Sequence, residues 1–161
     1  VERVPLEISP RDANRAYLRE WLPWVDATKR AAATEKFIAK MLRERAETRA
    51  FAAGIWSGGQ FVGLIRHNRI DWANRIAFPG YWLVPAAQGQ GIMTQCCQAF
   101  FAHAFEQLQV SRLIIGVATG NLRGQALALR LGFKQISTLR NAEWLYDHSV
   151  DHYIYSLLPP S

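Results

Sequence analysis

Two neighbouring runs determine the fold predicted for this 161-residue chain: Gly80-Tyr81-Trp82-Leu83-Val84, followed by Gln88-Gly89-Gln90-Gly91-Ile92-Met93-Thr94. A strand-like run enters a turn with two glycines, and the turn opens a helix. Gly89 and Gly91 allow unusual backbone dihedrals, so the amides at the start of the helix can converge on one anion such as a pyrophosphate. Two glycines before a helix also form plain connectors, and the turn alone leaves both interpretations open.

Upstream of the turn, the pattern predicts three antiparallel strands. Ala50 to Trp56 and Phe61 to Ile70 are strand-like and are joined by Ser57-Gly58-Gly59, which is a hairpin signal. Asp71 to Asn74 forms the next turn, and Ile76 to Val84 is the third strand. Before these strands, helical spacing of apolar residues predicts one helix from Pro10 to Leu22 and another from Ala31 to Glu47.

Downstream of the turn, helices and strands alternate. The pattern predicts a helix from Gly91 to about Leu108, a strand Arg112 to Ala118, a helix Leu122 to Arg130 and a final antiparallel pair, Lys134 to Trp144 with His152 to Leu158. The strand-helix-strand unit after the turn requires a parallel, right-handed crossover. The sequence therefore predicts an α/β (α+β) fold, with a mixed, mostly antiparallel twisted sheet of six to seven strands and about four helices.

Composition bounds the class of protein. Residues 1–161 are too few for two ordinary domains, and they contain no apolar run of membrane-spanning length and no signal-peptide pattern, so a single cytoplasmic domain is expected. Cys96 and Cys97 are adjacent, which disfavours a disulfide, and both fall within a helix, where packing is favoured over a role as nucleophile. The net charge of +6 attracts anions but does not choose among nucleic acid, an acidic protein and a phosphate-bearing cofactor.

Motifs in the second half of the chain carry a family resemblance. Asn121 ends a strand, and the following helix finishes in Arg130-Leu131-Gly132-Phe133. Together with the glycine turn, this pattern resembles the GNAT superfamily of acyl-CoA N-acetyltransferases. The resemblance is closest to the ribosomal-protein N-terminal acetyltransferases of the Rim type, through Trp21-Leu22-Pro23-Trp24-Val25, the strand before the turn and Asn141-Ala142-Glu143-Trp144-Leu145.

The resemblance implies acetyl-CoA as co-substrate and the GNAT fold. In that family the two central strands separate to form a slot for the cofactor. The implied cofactor-binding residues are Leu83 and Val84, beside the pantetheine arm, then Gln88, Gly89, Gln90, Gly91, Ile92, Met93 and Thr94, around the pyrophosphate, and Asn121 in the slot. A backbone amide near Leu83 or Val84 would stabilise the oxyanion. A Ser three residues after the Asn commonly assists the leaving thiolate in this branch, but here the residue is Gly124.

The resemblance also implies residues on the acceptor side. An α-amine is largely protonated at neutral pH and needs a base, and Glu143 matches the glutamate that Rim-type enzymes are thought to use through a water molecule. An exposed strand Glu with no role is the alternative. Trp21 and Trp24 are candidates for the acceptor pocket or for the core, and His67 and Tyr81 are further substrate candidates, although a structural role is the ordinary one for a strand His.

Several alternatives stay open. The acceptor is expected to be a protein N-terminal α-amine, or else a small amine such as a polyamine, antibiotic or amino-acid-like compound, and a non-catalytic acyl-CoA-binding module is the third possibility.

Neither nucleic acid nor a metal is expected, since no basic stretch interleaves with the tryptophans and the four histidines lack ligand spacing; His148 falls in a predicted turn. A homodimer is expected by analogy alone. The segment before Arg15 is short for the first strand and helix of the family.

Overall fold

The computed structural model describes residues 9–28, 36, 39–40, 43, 46–47 and 52–160. In chain order its elements are α1 (Ser9–Ala13), α2 (Arg15–Arg19), β1 (Ala52–Ser57), β2 (Gln60–Asp71), β3 (Ile76–Leu83), α3 (Ile92–Glu106), β4 (Arg112–Ala118), α4 (Leu122–Arg130), β5 (Lys134–Leu145) and β6 (His148–Leu157). Short 3-10 helices occupy Asp26–Thr28 and Pro85–Ala87.

The described strands form one six-stranded sheet in the order β1-β2-β3-β4-β6-β5. Every neighbouring pair is antiparallel except β3 and β4, which are parallel and are connected through α3. The predicted mixed, mostly antiparallel sheet with one parallel crossover is therefore confirmed.

The first hairpin shows why the glycine signal was informative. Gly58 and Gly59 have φ angles of 56° and 76°, and they connect Ser57 to its cross-strand partner Gln60. Two consecutive left-handed residues match the twist of the flanking strands, and glycine adopts this conformation at the lowest cost. The predicted hairpin is confirmed.

Several predicted elements differ from the structure or fall partly outside the described residues, and residues 50 and 51 of the predicted strand Ala50 to Trp56 lie outside them. The helix predicted from Pro10 to Leu22 is divided at Asn14 into α1 and α2. Within the helix predicted from Ala31 to Glu47, the described residues 36, 39–40, 43 and 46–47 are helical, and the others lie outside the described residues. The turn predicted at His148 is wrong, because Tyr146 adopts a φ of 58° and forms the turn with Asp147, so that β6 begins at His148.

The core forms where α3 packs on the sheet. Its buried residues recur every three or four positions and comprise Met93, Cys97, Phe100, Phe101 and Ala104. Burial, with a smaller contribution from Cys96, raises the pKa of the Cys97 thiol to about 12. Because only a thiolate is an effective nucleophile, Cys97 is a packing residue.

None of the described helices combines the length and the apolar character needed to cross a membrane. In the same part of the chain, no group of three or more His, Cys, Asp and Glu side chains could hold a metal ion.

Candidate active site

The sheet opens between its two central strands. In the described chain, β3 and β4 pair only at Ile76 with Arg112 and at Ala77 with Leu113, whereas β3 stays paired with β2 as far as Leu83. Beyond Ala77 the two parallel strands therefore separate, as the family resemblance implied. The separation contributes to a cleft of about 1340 Å³ that receives side chains from β2 to β6 and from the helices around them.

The glycine turn (residues 88–94) lies in this cleft at the start of α3. Gly89 and Gly91 have φ angles of 74° and 77°, and Gly91 is the N-cap residue of α3. No described side chain caps this helix, and its first intrahelical bond runs from Gln95 N–H to Gly91 O at 3.1 Å. The amides of residues 92–94 therefore lack partners within the helix, and their partial positive charge favours an anion.

Gln88 fixes the turn rather than pointing away from it. Its Nε2 donates to Leu83 O at 3.0 Å and to the Tyr17 hydroxyl at 2.8 Å, while Arg123 donates to its Oε1 at 2.7 Å. One side chain therefore connects the end of β3 with α2 and α4. Gln90 makes a more local bond, from its Nε2 to Ala86 O at 3.0 Å.

Two arginines on α4 bring positive charge to the glycine turn. Arg123 and Arg130 both line the cleft, and Arg130 donates to Thr94 Oγ1 at 3.3 Å. They are seven residues apart, which is two helical turns, so they lie on one face of α4. The sequence analysis named Arg130 only as part of the motif that ends this helix and predicted no cofactor role for either arginine, although their seven-residue spacing was visible in the sequence.

Asn121 lines the cleft and also caps α4. Its Oδ1 accepts a hydrogen bond from the amide of Gly124 at 2.9 Å. A Cβ atom at residue 124 would lie 2.9 Å from both Asn121 Nδ2 and Val117 Cγ1. The glycine found in place of the family's serine therefore sits where a side chain would force its neighbours to move.

The backbone at the end of β3 corrects one expectation. Val84 donates its N–H to Val62 O on β2 at 2.9 Å, so the prediction of a free Val84 amide is wrong. Successive residues of an antiparallel strand point their N–H groups to opposite edges, so the Leu83 N–H points away from β2, toward the cleft. Leu83 is the remaining backbone candidate for an oxyanion donor.

The tryptophans predicted on the acceptor side both line the cleft. Trp21 approaches Gly120, with ring atoms 3.7 Å from the position a Cβ would take, and Trp24 packs against Trp82 with ring centroids 6.4 Å apart. Trp24 thus belongs to the cleft and to the packing beneath it. The Tyr146 hydroxyl donates to Leu22 O at 2.6 Å, which ties this segment to the β5-β6 hairpin.

Glu143 lies in the cleft, and it has a neighbour that the sequence did not indicate. Glu143 and His152 both line the cleft, and Glu143 Oε2 lies 3.5 Å from His152 Nε2. Their side chains are 30% and 16% exposed, so both are partly shielded from water.

Tyr81 and His67 have different positions. Tyr81 lines the cleft, and burial, with a smaller contribution from Cys97, raises the pKa of its hydroxyl. His67 does not line the cleft: it is 4% exposed, and its ring centroid lies 4.5 Å from that of Phe100 on α3. Burial and the nearby His103 lower the pKa of His67 to about 4. His67 is therefore wrong as a substrate candidate, and the structural role given beside it is the one found, because its side chain projects into the core.

Comparison with known proteins identifies the family. Residues 7–134 match the acetyltransferase (GNAT) domain. The chain is 32% identical to the ribosomal-protein-serine acetyltransferase of Escherichia coli (strain K12) over 145 residues, which cover 89% of this chain and 80% of that protein.

Two solved structures share the fold. The ribosomal α-N-protein acetyltransferase RimL in complex with coenzyme A superposes with a TM-score of 0.88 at 27% identity, covering 92% of this chain and 84% of that one. The microcin C7 self-immunity acetyltransferase MccE, in complex with acetyl-CoA and AMP, gives 0.86 at 27% identity, covering 92% and 83%. GNAT enzymes use acetyl-CoA as co-substrate. The chain belongs to the GNAT acetyltransferase family and is an acyltransferase.

Proposed function

We infer that this N-acetyltransferase transfers the acetyl group of acetyl-CoA to the N-terminal α-amine of a protein, by direct attack in a ternary complex. The observation that carries the inference is one cleft lined by both the glycine turn and Glu143. The turn supplies donors suited to a pyrophosphate, and Glu143 supplies a carboxylate suited to deprotonating an amine.

The cofactor is proposed to lie along the gap between β3 and β4. The amides of residues 90–94 hold the pyrophosphate, and Arg123 and Arg130 add positive charge beside it. The pantetheine arm lies against Leu83, Val84 and Asn121. Gln88 and Gly89 act indirectly in this arrangement, since Gln88 anchors the turn and Gly89 supplies its left-handed residue.

The reaction begins with loss of a proton from the ammonium form of the acceptor. Glu143 takes this proton, directly or through a water molecule, and the amine nitrogen attacks the thioester carbonyl carbon. The negative charge that develops on the carbonyl oxygen is stabilised by the Leu83 N–H. The carbon-sulfur bond then breaks, the nitrogen loses its second proton, and the thiolate takes up a proton to give the N-acetyl product and coenzyme A.

Departure of the thiolate needs no side chain at residue 124. The Gly124 position offers no hydroxyl, and an ordinary thiol ionises near a pKa of about 8.5, so a thiolate is a good leaving group near neutral pH. Protonation from solvent is therefore sufficient in this proposal.

The acceptor assignment rests on the relatives and on the volume and lining of the cleft. The E. coli relative is named a ribosomal-protein-serine acetyltransferase, and RimL a ribosomal α-N-protein acetyltransferase. A cleft of about 1340 Å³ with Trp21 and Trp24 in its lining has room for the first residues of a peptide beside the cofactor. Together they support an extended protein N-terminus as the acceptor.

A small amine is the second candidate acceptor. MccE has nearly the same TM-score as RimL, and its structure is a complex with both acetyl-CoA and AMP. The same fold therefore accommodates a small molecule, and a polyamine, antibiotic or amino-acid-like amine remains the competing proposal.

A panel of acceptors separates these proposals. The purified protein is incubated with acetyl-CoA and with peptides that begin with Ser or Ala, with the same peptides blocked at the N-terminus but containing Lys, and with spermidine and free amino acids. We expect the unblocked peptides to be acetylated at the α-amine, detected by mass spectrometry, with a kcat/KM at least about 100-fold above the other amines. Turnover of small amines alone would transfer the assignment to the second candidate. Binding of CoA with no turnover of any amine would favour the non-catalytic module.

Pairing of two copies is a separate part of the proposal. The edge strand β5 exposes the apolar side chains of Ile136, Leu139 and Trp144, which is consistent with a homodimer. Light scattering at several protein concentrations measures the mass, and a constant mass of one chain would exclude pairing.

A further inference from the structure

The side chains of Glu143 and His152 meet because β5 contains a bulge. Leu139 pairs with His152 and Glu143 pairs with Val150, so three residues of β5, 140–142, stand opposite Asp151 alone. Asn141 adopts a φ of 49°, and its N–H donates to Asp151 Oδ1 at 2.8 Å, which fixes the bulge. Bulges redirect the side chains that follow them. This bulge makes Glu143 a diagonal neighbour of His152 on the same face of the hairpin.

A glycine on the other neighbouring strand makes room for the imidazole. His152 is paired with Ala118 on β4, and its ring lies over Gly116. A Cβ atom at residue 116 would lie 2.8 Å from His152 Nδ1, closer than real Cβ contacts allow. The His152 ring therefore fills the space that a side chain at residue 116 would occupy, and its Nε2 faces Glu143.

Glu143 and His152 form a polar contact that is partly shielded from water. The 3.5 Å between Nε2 and Oε2 is at the outer limit of a direct hydrogen bond, and the partly shielded position strengthens any electrostatic attraction. A carboxylate on a strand samples several rotamers, and a fixed neighbouring nitrogen limits them. Gly116, Glu143 and His152 all line the same cleft.

We propose that His152 is a positioning residue for the Glu143 carboxylate, holding it in the orientation in which it accepts the proton of the acceptor amine. The proposal rests on the function inferred above, with Glu143 as base. His152 does not itself exchange a proton with the substrate, so its contribution depends on the presence of a carboxylate at residue 143.

Kinetics of matched variants test the positioning role. His152→Leu removes the nitrogen, whereas His152→Gln keeps a donor at a similar distance from the backbone. We expect His152→Leu to lower kcat about 10- to 30-fold with the KM for acetyl-CoA unchanged, and His152→Gln to recover most of the loss. In the Glu143→Gln background, His152→Leu should change kcat less than about 2-fold. His148→Gln, at the exposed start of β6, is the control and should keep the parent kcat.

Two kinetic results would overturn the proposal. One is an unchanged kcat in His152→Leu, and the other is the same loss in both backgrounds, which would give His152 a role independent of Glu143. Calorimetry with coenzyme A is run on each variant, so that a loss of fold is recognised by loss of binding.

A spectroscopic measurement tests the contact without turnover. The ring nitrogen resonances of His152 are compared by NMR between the parent and Glu143→Gln, with the His148 ring as internal reference. We expect the His152 Nε2 resonance to shift and the His148 resonances to stay in place. An unchanged His152 spectrum would contradict the positioning proposal. If the resonance shifts as expected but the parent protein acetylates no amine, the proposed function is wrong and the contact between Glu143 and His152 is not.

Discussion

The two sides of the cleft are built from different parts of the chain. The glycine turn presents consecutive backbone amides over residues 88–94, and two left-handed glycines give it its shape. The proposed acceptor side collects side chains from positions far apart, with Trp21 after α2, Glu143 on β5 and His152 on β6. A site made by neighbouring peptide groups is encoded locally, whereas a site made by distant side chains depends on strand order, register and bulges.

The largest expected effect is on the acceptor side. Glu143→Gln keeps the shape of the side chain but removes the proposed base, so kcat should fall about 100- to 1000-fold. Affinity for coenzyme A, measured by calorimetry, should remain within about 2-fold, because the glycine turn is unchanged. A variant that kept the parent kcat would show that the base lies elsewhere, and a parallel loss of CoA affinity would show that the two sides are not separable.

The next effect concerns His67, the histidine that lies in the core rather than in the cleft. The folded-state pKa of His67 is lowered to about 4 by burial, so between this value and the ordinary 6.5 the unfolded chain binds more protons. Stability from neutral His67 is therefore fully present above about pH 6.5 and is lost as the pH falls toward 4, by about 2 to 3 kcal/mol. His67→Leu should flatten this part of the dependence.

Urea unfolding of the parent and of His67→Leu at pH 7 and pH 4.5 measures that difference. The exposed carboxylates contribute equally to both proteins, so only the difference between them reports on His67. An identical loss of stability in the two proteins would contradict the burial of a neutral imidazole.

A smaller effect separates a glycine in the proposed pyrophosphate site from a glycine in a hairpin. Gly91→Ala and Gly58→Ala each place a Cβ on a left-handed residue, with φ angles of 77° and 56°, and neither Cβ would meet an atom within 4 Å. Both should cost about 1 kcal/mol of stability from backbone strain. Only Gly91→Ala should weaken binding of coenzyme A, by about 5- to 10-fold. Equal affinities in the two variants would argue against the turn as the pyrophosphate site.

The smallest expected effect concerns charge beside the turn. Arg130→Gln should weaken binding of coenzyme A about 3- to 5-fold at low salt and less at high salt, because exposed charges are screened. Arg130→Lys keeps the charge and serves as the matched control. A loss that does not depend on salt would point to the bond with Thr94 rather than to the phosphate.

Sequence reasoning succeeded where the signal was local. The bounds predicted for β4 and α4 agree with the structure, and the two-glycine hairpin lies where the sequence placed it, because propensity and turn chemistry act over a few residues. The turn, Asn121 and Glu143 were named and do line one cleft, but their roles stay predictions.

The failures within the cleft depend on contacts between elements that are distant in the sequence. The Val84 N–H points toward β2 because it donates to Val62 O. The His67 side chain lies on the core face of β2, where it packs against Phe100 on α3. The proximity of Glu143 to His152 requires a bulge in β5 and a glycine in β4, two features of different strands. No single segment contains this information.

The sparse pairing of β3 with β4 has a mechanical consequence for the whole sheet. Two residue pairs near Ile76 and Ala77 are the only ladder joining the β1-β2-β3 half to the β4-β6-β5 half in the described chain. A cofactor arm bonded to the free edge of β3 would act as a removable strand that bridges both halves. Saturation at about 100 times Kd adds about 2.7 kcal/mol to the unfolding free energy. Slower amide exchange should then appear together on Leu83 and on β4, so the substrate would also be a structural member of its enzyme.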